Sequence, residues 1–154
     1  MNGRNPRGRQ KFSGRFVMFS EVVLTSEVVA NLSGPASKLL LDACSKYRHG
    51  RNGDISLVFS DLQTNRSWRS KSTLNKALKE LMAADLLVKT RQGYKKKCSL
   101  YALGWLPIDA CGGKLDVLPG KYCSNRWLAT VPLMPPKQKS ASTPTVPKPE
   151  GNRI

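Results

Sequence analysis

Three observations in the amino-acid sequence predict an α+β fold in which a few helices pack on a small antiparallel β-sheet. Residues 70–82 carry apolar side chains at helical spacing, with the signal of a shorter helix just before them. Residues 86–105 read as two strands joined by a tight turn, and the cations of a strongly basic chain gather on this same unit. The chain has 154 residues and a formal net charge of +16. That length gives one domain with a modest core, and the charge exceeds what solubility requires.

Taken from the start, residues 1–15 hold Arg4, Arg7, Arg9, Lys11 and Arg15 with no acid. They have so little to bury that a disordered basic arm is expected. Within it, Pro6-Arg7-Gly8-Arg9-Gln10 resembles the Pro-Arg-Gly-Arg-Pro core of an AT-hook, with Gln10 in place of the last proline. Arg7 and Arg9 are therefore candidates for a narrow minor groove, non-specific phosphate binding being the simpler expectation for such a tail.

Residues 16–106 are expected to form the folded domain. Phe16-Val17-Met18-Phe19 suits a strand and residues 26–32 suit a short helix. Ser33 caps a clearer helix, with Pro35 in its first turn, where a missing N–H costs nothing. Ala36, Leu39, Leu40, Ala43 and Tyr47 form its apolar stripe, and Gly50 is expected to end it. Asn52-Gly53 is a turn signal, followed by a short strand over residues 55–58.

Ser60-Asp61-Leu62-Gln63 has the form of a capping box, in which Ser60 and Gln63 satisfy each other's backbone donors. It predicts a short helix over residues 60–65. The link Arg66-Ser67-Trp68-Arg69 follows, with Trp68 expected to pack under the turn rather than stack on a base. Ser70 then caps the second helix. Leu74, Ala77, Leu78 and Leu81 recur at i, i+3, i+4 and i+7 and share one face. Lys71, Ser72, Asn75, Lys76 and Lys79 fall on the other side, with no acid between Ser70 and Lys79. A solvated helix face more often mixes signs.

Residues 86–92 and 98–105 read as the two strands. Arg91 sits near the end of the first, and Gly93-Tyr94-Lys95-Lys96-Lys97 forms the hairpin tip. Three adjacent lysines on a tight turn repel one another; an anionic partner removes that repulsion, which favours a binding role over the alternative of a merely solubilising tip. The resulting order is helix, short strand, helix, helix, strand, turn, strand, which is that of a winged helix-turn-helix. In that arrangement the second helix of the pair commonly lies in the major groove of duplex DNA.

The charge follows the same elements. Residues 16–54 hold four cations and four anions, residues 55–106 ten and three, and residues 107–154 seven and three. The excess sits on the helix pair, the hairpin and the two ends, an electrostatic footprint rather than a uniform bias.

Gly50-Arg51-Asn52-Gly53-Asp54-Ile55-Ser56-Leu57, Ser70-Lys71-Ser72-Thr73-Leu74-Asn75-Lys76-Ala77-Leu78-Lys79-Glu80-Leu81 and Thr90-Arg91-Gln92-Gly93 resemble winged-helix proteins encoded by bacterial phages, plasmids and integrated elements. The resemblance spans residues 32–105, close to half the chain. Proteins of that type include replication initiators and transcription regulators. What the resemblance implies is DNA binding, without choosing between those processes.

Residues 107–132 form an extension in which Leu115, Val117, Leu118, Tyr122, Trp127 and Leu128 are apolar enough to dock. They are expected to cover the back of the domain, or to bind a protein partner through Tyr122 and Trp127. Eight of the ten prolines lie from Pro107 onward, and residues 133–154 are expected to be a disordered, basic, Pro-rich tail.

No run approaches a membrane span or the apolar core of a signal peptide, so a soluble cytoplasmic protein associated with the nucleoid is expected. Cys44, Cys98, Cys111 and Cys123 form no C-x-x-C pair and His49 is the single histidine, a poor basis for a metal site and consistent with buried, reduced thiols. Without a catalytic constellation or a Gly-rich phosphate loop, neither an enzyme nor a cofactor is expected. Oligomeric state stays open, since no heptad stripe argues for a coiled-coil dimer. The expected partner is double-stranded DNA, with Arg69, Lys71, Ser72, Asn75, Lys76, Lys79, Arg91, Lys95, Lys96, Lys97, Arg7 and Arg9 as candidate contacts. RNA is the alternative on the same basic surface. It is disfavoured because, Tyr94 apart, the basic segments hold few aromatic platforms.

Overall fold

The computed structural model describes residues 14–17, 19–120 and Trp127. Two one-turn helices, α1 (Glu21–Leu24) and α2 (Glu27–Ala30), come first. The sequence pattern predicts only one short helix here. The break falls at Thr25-Ser26, whose hydroxyls donate back to the carbonyls of Glu21 and Val23, while Ser26 Oγ also accepts the Val29 N–H and opens α2. The strand expected at residues 16–19 is not formed among the described residues. Phe16 and Val17 are exposed, and Phe19 stacks its ring on Trp105 with centroids 5.4 Å apart instead of entering the sheet.

Helix α3 (Gly34–Lys46) begins as expected, with Ser33 Oγ accepting the Ala36 N–H and Pro35 in the first turn. Ala36, Leu39, Leu40 and Ala43 are buried. The helix stops at Lys46 rather than running to Gly50, because Tyr47 already has extended backbone with ψ 139°. The residues that follow form two turns leading into β1 (Ile55–Ser56).

Helix α4 (Phe59–Arg66) starts one residue earlier than predicted, and its N-cap is Val58, which has no side chain able to accept. The capping box is therefore absent. Burial decides this end: Phe59 packs against the core, and Ser60 lies inside the first turn, its carbonyl taking the Thr64 hydroxyl. Helix α5 (Lys71–Ala83) has the predicted cap, Ser70 Oγ accepting the Thr73 N–H at 3.3 Å. Leu74, Ala77, Leu78 and Leu81 are its buried residues. At about 1.5–3 kcal/mol for each fully buried leucine, this stripe outweighs helix propensity in fixing which face turns inward. The stripe packs against α3 and β2.

The sheet is antiparallel with strand order β1-β3-β2, where β2 is Leu87–Arg91 and β3 is Leu100–Leu103. Ile55 pairs with Tyr101 on one side of β3, and Leu87 with Leu103 on the other. All four residues of β3 are buried, so the alternation expected of a half-exposed strand is absent. β3 is the central strand, flanked on both sides, and residues 104–120 return to its neighbours: the Asp109 N–H donates to the Asn52 carbonyl ahead of β1 and the Asp116 N–H to the Thr90 carbonyl of β2. The register shifts between Lys89 and Arg91, leaving Thr90 as an extra residue. Its hydroxyl leaves the ladder and donates to the Gly53 carbonyl at 2.7 Å, the re-aiming a bulge permits. Directly after β3, Gly104 is a close approach: a Cβ there would lie 1.8 Å from the Asp85 carbonyl oxygen.

Asn52, read from sequence only as a turn residue, is a buried pin. Its side-chain oxygen accepts the Leu103 N–H, and its Nδ2 faces the carbonyls of Leu103, Leu106 and Pro107. Trp127 is buried in the same core cluster as Val23, Leu39, Leu62, Leu81 and Trp105, and with Phe19 and Val23 it lines a cavity of about 370 Å³. Among the described residues no helix is long and apolar enough to cross a membrane.

Candidate nucleic-acid interface

Burial of the leucine stripe turns the opposite side of α5 to solvent, and Lys71, Ser72, Asn75, Lys76 and Lys79 are all exposed there, with Arg69 exposed just ahead of the helix. The single acid of α5 is drawn off this face. Glu80 accepts the Ser33 N–H at 2.7 Å and the Ser33 hydroxyl at 2.6 Å, tying α5 to the start of α3. Those two hydrogen bonds favour the carboxylate and hold its pKa below the ordinary glutamate value.

The turn between α4 and α5 is held from beneath. Asp42 of α3 is buried, and its carboxylate accepts from Arg66 Nε at 2.6 Å and from Trp68 Nε1 at 2.7 Å. Trp68 thus packs under the turn, as expected from its size. Lys38 donates to the Arg66 carbonyl and lies 4.9 Å from the centre of the Trp68 ring. Ser67 takes the left-handed conformation, φ 56°, that lets the chain reverse between the helices. Sequence reasoning missed Asp42. The signal was an acid directly beside the apolar stripe, next to Ala43 and three residues after Leu39.

At the hairpin, Tyr94 and Lys97 exchange two backbone hydrogen bonds, of 3.0 and 2.9 Å. Lys95 and Lys96 form the tip between them, and Lys95, Lys96 and Lys97 are all exposed. Arg91 differs from the other candidates. It is half-buried, and its guanidinium donates from Nε and Nη2 to the Cys98 carbonyl, clamping the two strands where the hairpin leaves the sheet. The α5 face and the hairpin base meet across a cleft of about 280 Å³, with Lys71 and Asn75 on one wall and Cys98, Ser99 and Tyr101 on the other.

Two populations of cations result. Lys46 pairs with Asp61, Arg66 with Asp42, and Arg51 and Lys114 with Asp54. Among the described residues Arg69, Lys71, Lys76, Lys79, Lys96 and Lys97 have no carboxylate within ion-pair distance, nor does Lys95. The structure thus leaves Arg69, the α5 lysines, Asn75 and the hairpin lysines exposed, and engages Arg91 within the fold. Arg7, Arg9, Tyr122, Cys123 and the tail at residues 133–154 lie outside the described residues, as does nearly all of the basic arm.

Among the described residues no group of three His, Cys, Asp or Glu is arranged to hold a metal ion. Cys44, Cys98 and Cys111 are free thiols. Burial pushes the Cys44 pKa up to about 12, which keeps it a thiol and a poor nucleophile. No family model, no curated protein and no solved structure matches this chain.

Proposed function

We propose that this chain is a duplex DNA-binding protein of the winged helix-turn-helix type, with α5 as the recognition helix in the major groove and the lysine-tipped hairpin as the wing on the phosphate backbone. The observation that carries the reading is the exposed cationic face from Arg69 to Lys79, without a carboxylate partner among the described residues, joined by a cleft to the base of a hairpin carrying three more exposed lysines. An α-helix with side chains is about 10–12 Å across and the major groove about 12 Å wide, so the face fits as a unit. Asn75 is the residue suited to bases, since its amide makes a bidentate pair with adenine. The lysines suit guanine acceptors or phosphates. The element order supports the same assignment. The sequence resemblance to proteins of phages and mobile elements points to transcription regulation or replication initiation as the process.

Competition binding among duplex DNA, single-stranded DNA and duplex RNA tests the reading. Duplex DNA should compete best, with an affinity that falls steeply as salt rises. Stronger competition by duplex RNA would transfer the basic surface to RNA instead. Recovery of the bound DNA from cells then separates the two processes, because sites cluster at promoters for a regulator and at an origin for an initiator.

A further inference from the structure

We infer that the wing tip carries a base-stacking platform, Tyr94, which makes the protein favour DNA containing an unpaired base over a fully paired duplex. The inference rests on the DNA-binding reading and adds a specificity to it. Tyr94 is 68% exposed, although it stands in a hairpin closed by its own two backbone hydrogen bonds with Lys97. An aromatic ring in that position contributes nothing to the core. The Lys95 ammonium lies 5.2 Å from the ring centre, so the protein's own cation addresses the π-system and helps hold the ring in place while most of it stays open to solvent. Lys96 and Lys97 are exposed beside it.

The partner that matches this surface presents a flat π-face within one nucleotide's length of negative charge. In an intact duplex the base faces are covered by their neighbours. They become available at an unpaired or displaced base, and a sequence-tolerant aromatic stacks on any of the four. Tyr94 lies three residues beyond Arg91, the last residue of β2 paired in the sheet, a stretch that at about 3.3 Å per residue spans at most about 10 Å. The exposed ring is thereby open to a displaced base beside the duplex that α5 is proposed to occupy.

The test uses the full chain and its Tyr94→Ala and Tyr94→Phe variants, titrated by fluorescence anisotropy into a labelled short duplex and into the same duplex carrying one unpaired base. The wild type should bind the interrupted duplex more tightly. Tyr94→Ala should lose about five- to 150-fold on that probe, the range found for removing one stacking aromatic, and less than about twofold on the intact duplex. Tyr94→Phe should keep the preference, since the ring and not the hydroxyl stacks. Equal affinity of the wild type for the two probes, or an equal loss on both in Tyr94→Ala, overturns the inference and leaves duplex binding standing. A wild type that binds neither probe overturns both. Thermal melting of the variants guards against misfolding and should match the wild type, because the ring is outside the core.

Discussion

Replacing Asp42 by alanine should loosen the turn that presents α5, and the structure gives the size of the effect. The Asp42 carboxylate is 1% exposed and accepts from two groups of different fate. Arg66, with 44% of its side chain exposed, regains water when the carboxylate is lost, so its share is small, about 0–1 kcal/mol as for other accessible pairs. Trp68 is 4% exposed, and its Nε1 would be left buried without an acceptor, which costs about 1–3 kcal/mol. Asp42→Ala should therefore destabilise by about 1–4 kcal/mol, seen as a lower urea midpoint by far-UV circular dichroism and a melting temperature lower by roughly 10 °C. Asp42→Asn keeps an acceptor oxygen for Trp68 and should cost about half as much. In a Trp68→Phe background, where no indole N–H needs a partner, the cost of Asp42→Ala should shrink by about 1 kcal/mol or more. An alanine variant within about 0.5 kcal/mol of wild type, or additive behaviour with Trp68→Phe, would refute the role given to this carboxylate.

Three other expectations concern the proposed interface and its support. Asn75→Ala should weaken binding to a preferred DNA site by about 1–3 kcal/mol while sparing random DNA, and equal loss on both in a filter-binding assay would deny it a base-reading role. Replacing Lys95, Lys96 and Lys97 together by Gln should leave the melting temperature unchanged or slightly higher, because charges closer than the Debye length of about 8 Å repel. It should weaken DNA binding across sequences and reduce the log–log salt slope by about 0.9 for each phosphate no longer neutralised, so full affinity at physiological salt would remove the wing from the interface. Glu80, whose folded pKa is depressed by its two bonds from Ser33, contributes stability that is present above the ordinary glutamate range and lost as pH falls through the lowered value. Acid melting curves should therefore converge for wild type and Glu80→Gln, the wild type being the more stable near neutrality. Parallel curves would show that the Ser33 interaction carries no weight.

Where hydrophobic period and a strong cap agreed, the sequence was readable. Helix α5 has Ser70 and the Leu74, Ala77, Leu78 and Leu81 stripe pointing to the same boundaries, and α3 has Ser33, Pro35 and its own stripe. The sheet followed from the hairpin, and the exposure of the α5 cations followed from the stripe. Long-range choices were not readable. Phe19 exchanges a local strand for a ring contact with Trp105, at the far end of the domain in sequence. Helix α4 has one buried residue, Leu62, so no periodicity fixed its first turn, and the Ser60 box signalled a cap that burial of Phe59 overrode. The role of Asn52 depends on carbonyls around residues 103–107, which no pattern near residue 52 announces. Arg91 looked like a member of the cationic set because nothing in its own neighbourhood reveals that the Cys98 carbonyl lies within its reach.

The distribution of acids explains how a surface this basic is compatible with the fold. Asp42, Asp54, Asp61, Glu80, Asp109 and Asp116 each bond within the domain, holding the turn, the β1 approach, α4, the start of α3, Asn52 and Gln92 respectively. Two of these, Asp42 and Glu80, act at the α3 boundary with the helix pair: one fixes the turn before α5 and the other pins α5 itself. Glu80, the single acid of α5, is thereby drawn off its outer face by the bond that pins the helix. No acid lies between residues 70 and 79, and among the described residues no carboxylate of another element pairs with Lys71, Lys76 or Lys79. The repulsion among Lys71, Lys76 and Lys79 is therefore left to solvent and salt in the free protein, and a polyanion laid along α5, as proposed, would relieve it in a way that no side chain of the described domain does.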